Sequence, residues 1–172
     1  MKMRRIKIHN KIKNVLFVCM GNTARSPAAE YLAKHLKKKY QNELDDITFD
    51  SAGFFNAFSY MQPESREYLK SKGINESDFR PKIINKNLLE KQDLILTMEK
   101  AHSHDIVINY SEIPDIEKRV YTLKEFSGEV ENPDIIDPYY TSTNIYKKIL
   151  KIIDTHVEKA IMKIIKINNQ MD

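Results

Sequence analysis

Apolar positions along this chain follow two rhythms. The run in "NVLFVC" (14–19) is short and nearly unbroken, the mark of a strand covered on both faces. "DITFDSAG" (46–53) reads as a second strand closed by Gly53, "DLILTME" (93–99) as a third, and "RVYTLKEF" (119–126) as a fourth. Between them the spacing turns helical. Ala28, Ala29, Leu32, Ala33 and Leu36 recur at helical intervals to about residue 39, with Pro27 expected at the first helical position. "PESREYLKSKG" (63–73) has proline at its start and glycine at its stop, and a further helix is expected over about 99–109. "SGEVENPDIIDPYYTST" (127–143) is an acidic loop with two prolines. From Asn144 to about Ile167, Ile145, Ile149, Ile152, Ile153, Val157, Ala160, Ile161, Ile164 and Ile165 mark one helix face. Alternating strands and helices predict a three-layer α/β fold, with a four-stranded parallel sheet flanked by helices. Ligands of such sheets bind beyond the carboxyl ends of the strands, and Cys19 falls at one such end.

Composition narrows the picture. The 172 residues suit one domain, 1–172, with residues 1–12 as a basic N-terminal extension. At 41% hydrophobic the chain can build a core. The formal net charge of +4 favours anionic partners, but the lysines are spread without aromatic interleaving, so no nucleic acid is expected. No stretch reads as a signal peptide or a membrane helix, which predicts a cytoplasmic protein without a membrane partner, a monomer or weak dimer. The single cysteine excludes an internal disulfide and a multi-cysteine zinc site. The histidines of "AHSHD" (101–105) are two apart on an expected helix and do not share a face, so no metal site is expected there.

The loop Met20–Arg25 lies between a strand and a helix start. Successive backbone N–H groups there can face one concavity and, with the helix dipole, cradle an anion. Gly21 and Asn22 tolerate the left-handed backbone a tight loop needs. The planar fork of Arg25 can grip two phosphate oxygens. The same field favours the thiolate of Cys19, hence a nucleophile below the cradle. The ATP-binding Gly-rich loop is excluded, because its lysine and second glycine are missing.

"VCMGNTARSPAAE" (18–30) resembles the C-x5-R-S signature of the low-molecular-weight protein tyrosine phosphatases. "DSAG" (50–53), "LKSKGI" (69–74) and "DLILTME" resemble further blocks of that family, and "DPYY" (137–140) resembles its general-acid loop. The resemblance implies the flavodoxin-like fold of phosphotyrosine protein phosphatase I type and a cytoplasmic hydrolase of phosphoproteins that needs no cofactor or metal. It implies that Cys19 forms a phosphocysteine. Arg25 and the loop Met20, Gly21, Asn22, Thr23 and Ala24 hold the phosphoryl oxygens, and inorganic phosphate or other oxyanions bind there too. Asn22 braces the loop and Ser26 donates to the thiolate. Asp137 protonates the leaving group and then activates water, and Tyr139 and Tyr140 line the entrance.

Departures from the family's pattern refine this. Ala24 stands where many members have a second cysteine, so a protective disulfide is not available. "SDFRPK" (77–82) replaces a region that often holds a histidine. Thr23 stands where tyrosine-specific members have an aliphatic residue and protein-arginine phosphatases have threonine. Phosphotyrosine is the expected substrate and phosphoarginine the alternative. A phosphate-binding module without turnover is less expected, because pure binding needs neither Cys19 nor Asp137. A thioredoxin-coupled arsenate reductase is excluded by the single cysteine. Phe58, Tyr60 and Met61 in "NAFSYMQ" (56–62) either shape the pocket or cap the core.

Overall fold

The apolar run at the start of the chain becomes β1 (Asn14–Cys19), whose residues 15–19 are all buried. The computed structural model describes Ile6 and residues 8–172, so residues 1–5 and 7 of the basic segment expected at 1–12 lie outside the described residues. Among the described residues the elements run β1, α1 (Arg25–Lys39), α2 (Gln41–Leu44), β2 (Thr48–Gly53), α3 (Pro63–Ser71), α4 (Lys86–Glu90), β3 (Leu94–Thr97), α5 (Lys100–Asn109), α6 (Ile116–Arg119), β4 (Val120–Thr122), α7 (Leu123–Ser127) and α8 (Thr143–Asn169). The four strands form one parallel sheet in the order β2-β1-β3-β4. Alternation along β1 sorts the core into two layers. Val15, Phe17 and Cys19 face the cluster that holds α1, α3, α7 and α8. Leu16 and Val18 face a smaller cluster with Leu89, Ile106 and Ile116 of α4, α5 and α6.

The strand order places the site. From β1 the chain crosses to β2 on one side and then to β3 on the other. The carboxyl ends of β1 and β3 therefore flank a switch point, where loops diverge and leave a crevice. Cys19 ends β1 there, and Met98 N–H follows β3 and donates to Val18 O at 3.0 Å. Ile135 N–H in turn donates to Met98 O at 2.8 Å, and Lys100 N–H to Asp134 Oδ1 at 2.7 Å, which pins the acidic loop across the crevice.

Several expectations need correction. Helix α1 begins at Arg25, so Pro27 is its third residue, still inside the first turn where an N–H has no helical partner. The fourth strand stops at Thr122. Thr122 Oγ1 accepts from Glu125 N–H while Thr122 N–H donates to the Glu125 carboxylate, a capping box that starts α7 inside the expected strand. The short helices α2, α4 and α6 were not visible as periodicity. On α8, Ile145 and Ile152 are exposed, and Tyr146, Leu150 and His156 take buried positions instead. Met61 caps the core, whereas Tyr60 is half exposed. At the other end, Ile12 is fully buried and its backbone pairs with the carboxamide of Asn168 at 2.8 and 2.9 Å. Among the described residues no helix is long and apolar enough to cross a membrane.

Candidate active site

The loop after β1 is built around Asn22. Its backbone is left-handed, φ 51°, a conformation asparagine tolerates better than most residues. Its side chain is fully buried and fully used. Lys82 N–H donates to Oδ1 at 3.0 Å, which fixes the orientation of the amide, since a backbone N–H can only donate. Nδ2 then donates to Ser26 Oγ and Ser51 Oγ, each at 2.9 Å. Both serines have an oxygen already occupied, so each directs its own proton elsewhere. Ser51 donates to the carboxylate of Glu30. Ser26 lies 2.9 Å from Cys19 Sγ, with Ala52 O the more distant alternative at 3.4 Å. The relay thus aims the Ser26 hydroxyl at the sulfur, which suits a thiolate. Burial pushes the Glu30 carboxyl above its usual range, and its bonds from Lys34 and Ser51 pull the other way.

Gly53 and Gly21 let the loop sit this close. A Cβ on Gly53 meets Asn22 N at 2.7 Å, Met20 O at 2.8 Å and Gly21 C at 2.9 Å, all backbone atoms. Gly21 does not take the left-handed backbone expected of it. Its missing Cβ instead makes room for Ala57, whose Cβ lies 2.6 Å from where it would stand. The region that lacks a histidine serves the loop through its backbone, by the Lys82 N–H bond to Asn22 and the pairing of Gly53 with Ile83.

Arg25 is 1% exposed. Its Nη1 donates to Glu99 and to Ile135 O, the latter at 2.7 Å. Nη2 lies 3.4 Å from Asp137 Oδ2, and Nε is buried with no partner among the described residues. One side of the guanidinium is anchored, then, and on the Nε/Nη2 edge Nε is unpartnered while Nη2 meets only Asp137, the edge that suits two oxygens of a tetrahedral anion. Close behind, the buried ring of His102 has Nε2 3.9 Å from Glu99 Oε1. Burial, and then the Arg25 charge, push its basicity down, while Glu99 acts the other way.

Cys19 lies on the floor of a cavity of about 240 Å³. Met20, Gly21, Thr23, Ala24 and Arg25 line its base, and Phe55, Ala57, Phe58 and Tyr139 form an aromatic slot above. Asp137 lines the same cavity, half exposed, and its Oδ1 accepts from Tyr139 N–H at 3.0 Å. Asn22 and Ser26 lie beneath the lining. Tyr140 does not line this cavity. Its ring is 94% exposed and packs on Tyr139 with centroids 4.1 Å apart, so it stands at the mouth, behind Tyr139. Phe58, one of the residues left undecided between pocket and core, belongs to the slot and touches Tyr139.

Residues 14–170 match the family model described as low molecular weight phosphotyrosine protein phosphatase. The chain belongs to this family. Among curated relatives it is 35% identical over 135 residues to the low molecular weight protein-tyrosine-phosphatase PtpB of Staphylococcus haemolyticus, covering 78% of this chain and 87% of that protein. It is 33% identical over 137 residues to the protein-arginine-phosphatase of Bacillus subtilis, covering 78% and 85%. Among solved structures, the low molecular weight protein tyrosine phosphatase from T. tengcongensis aligns with a TM-score of 0.77 at 35% identity, over 88% of this chain and 99% of that one. The protein is accordingly a phosphatase of the low-molecular-weight type, a hydrolase.

Residues that sequence reasoning left without a role complete the site. Glu99 and Ile135 O anchor Arg25. Ser51 and Glu30 extend the Asn22 relay. Gln62 Nε2 donates to Thr23 Oγ1 at 3.4 Å, while its Oε1 accepts from the Tyr146 hydroxyl at 3.0 Å. "DSAG" carries Ser51 and "DLILTME" carries Glu99, so the available signals were the resemblance of these stretches to blocks of the family and their place at or near strand ends. Among the described residues no group of three or more histidines, cysteines or acids could hold a metal ion.

Proposed function

We propose that the protein hydrolyses phosphotyrosine in phosphoproteins through a phosphocysteine intermediate. The observation that carries the reading is the aromatic slot of Phe55, Phe58 and Tyr139, which leads down to a lone thiol beside an arginine whose Nε has no partner among the described residues. A phenyl ring stacks in such a slot while its phosphate reaches the floor. The Cys19 thiolate attacks phosphorus, a P–S bond forms, and the P–O bond to the tyrosyl oxygen breaks. Asp137 gives that oxygen a proton. The Asp137 carboxylate then takes a proton from water, the water oxygen attacks phosphorus, and the P–S bond breaks to release phosphate and restore the thiolate. Arg25 and the loop from Met20 to Ala24 hold the phosphoryl oxygens through both steps. Asn22 holds the loop, Ser26 donates to the sulfur, and Tyr139 with Tyr140 behind it guides the ring.

A second reading, hydrolysis of phosphoarginine, is favoured by Thr23, which is buried and lines the cavity, and by the relatives named protein-arginine-phosphatase. Against it, the slot above the thiol is walled by the rings of Phe55, Phe58 and Tyr139, which suit a phenyl group. Initial rates on matched phosphotyrosine and phosphoarginine peptides, with Cys19→Ser as blank, decide between them. A faster rate on phosphotyrosine supports the first reading. A preference for phosphoarginine overturns it, and no cysteine-dependent rate on either overturns both.

A further inference from the structure

Beside the phosphate cavity lies a second one of about 370 Å³, on the other side of the Phe58–Tyr139 wall. Phe58, Gln62 and Tyr139 line both, so a single bound peptide can occupy the two together. Tyr60, Tyr140, Tyr146 and Glu64 complete the second cavity, and Glu64 is its one ionised side chain. The Glu64 carboxylate makes no hydrogen bond or ion pair among the described residues. Its charge and that of Asp137 help to hold the Tyr146 proton, after the larger effect of burial. The rings of Phe58, Tyr60 and Tyr139 touch in series, with centroids 5.6 and 5.8 Å apart. Tyr140 adds an almost fully exposed ring, held by a left-handed backbone with φ 69°, which a tyrosine adopts only under strain. Folding gains little from so exposed a ring.

Resting on the reading of the protein as a phosphoprotein phosphatase, we propose that this second cavity binds the lysine or arginine side chain of a residue flanking the phosphorylated one. Aromatic faces and phenolic oxygens around one unpaired carboxylate suit a cation with a long apolar stem. Glu64 is the one acidic residue lining this cavity, so the discrimination is local to it. Glu64 stands in the first turn of α3, where a carboxylate also favours the helix end. That role affects stability and leaves the choice of peptide unchanged.

The test uses the full chain and a set of phosphopeptides that differ only in having Lys, Ala or Glu one or two residues to either side of the phosphoresidue. Wild type is expected to prefer lysine over alanine at one of these positions by about three- to tenfold in kcat/KM, the range for a partly exposed cation–aromatic contact plus an ion pair. Glu64→Gln brings that ratio close to one, and Glu64→Lys turns it in favour of the glutamate peptide. Hydrolysis of p-nitrophenyl phosphate, too short to reach the second cavity, stays the same in both variants. A wild type indifferent to flanking charge, or a Glu64→Gln variant that keeps the lysine preference, overturns the inference. Binding of the same peptides to Cys19→Ser separates the two claims: lysine preference in binding without turnover in wild type refutes the phosphatase reading and keeps the cation site.

Discussion

Replacing Asn22 with alanine removes one side chain and disturbs three partners at once. Lys82 N–H loses its acceptor, and Ser26 and Ser51 lose the donor that fixes their own protons. A buried polar group left without its partner costs about 1–3 kcal/mol. The serines keep other bonds, so their losses fall at the low end. Alanine at φ 51° adds about 1–2 kcal/mol of backbone strain. Together these give roughly 4–7 kcal/mol, a large part of the ~5–15 kcal/mol that holds a domain of this kind. Asn22→Gly separates the contributions, because glycine accepts the left-handed backbone and recovers about 1 kcal/mol of the loss while restoring none of the hydrogen bonds. Urea unfolding followed by far-ultraviolet circular dichroism measures both variants, provided the slope with denaturant is unchanged. Activity falls as well, since an unbraced Ser26 can turn its proton to Ala52 O and leave the sulfur unsupported. An Asn22→Ala variant within about 0.5 kcal/mol of wild type, the range of an ordinary surface change, refutes the reasoning.

Further outcomes follow from the same geometry. Asp137→Ala is expected to lower kcat on a phosphotyrosine peptide by about 10²–10⁴-fold, with a smaller loss on p-nitrophenyl phosphate, whose leaving group needs less protonation. An equal loss on both substrates contradicts a general-acid role. Gly53→Ala drives a Cβ into three backbone atoms of the loop, so vanadate affinity measured by inhibition is expected to weaken by about tenfold or more, equivalent to ~1.4 kcal/mol. Unchanged affinity means the loop is softer than its contacts suggest. Burial depresses the basicity of His102 from its ordinary 6.5, so the unfolded chain binds a proton there before the folded one does. The contribution of the neutral ring is complete above about pH 6.5 and is lost as pH falls below it. Wild type therefore gains on His102→Asn as pH rises from about 5 to 7, read by urea unfolding at each pH, and the opposite slope contradicts the assignment.

What the sequence disclosed and what it hid have physical reasons. β1 and β3 are buried on both faces and reveal themselves as apolar runs, and the C-x5-R-S loop is legible because strand, loop and helix start are contiguous. Asp137 was legible only through its DPYY setting, since an Asp-Pro in a loop is ordinarily a turn former. The anchors of Arg25 were not legible, because Glu99 and Ile135 O are brought to it by the β1–β3 switch point and by the pinned loop, 74 and 110 residues away in sequence. Thr122 and Glu125 did carry a readable signal, the T-x-x-E box, which the apolar rhythm of "RVYTLKEF" concealed. Ile145 and Ile152 satisfy the helical period of α8 and yet face outward, because the period gives a stripe's direction and not its width.

The central claim is that Cys19 carries the phosphoryl group. The measurement that tests it most directly is rapid quenching of the enzyme with a phosphotyrosine peptide, followed by intact and peptide-level mass spectrometry, in wild type and in Asp137→Ala. The account predicts one added phosphoryl group on the peptide containing Cys19 in wild type, absent from Cys19→Ser, and in Asp137→Ala seen on p-nitrophenyl phosphate, whose leaving group needs less protonation. A phosphoryl group on another residue, or turnover that survives in Cys19→Ser, contradicts it.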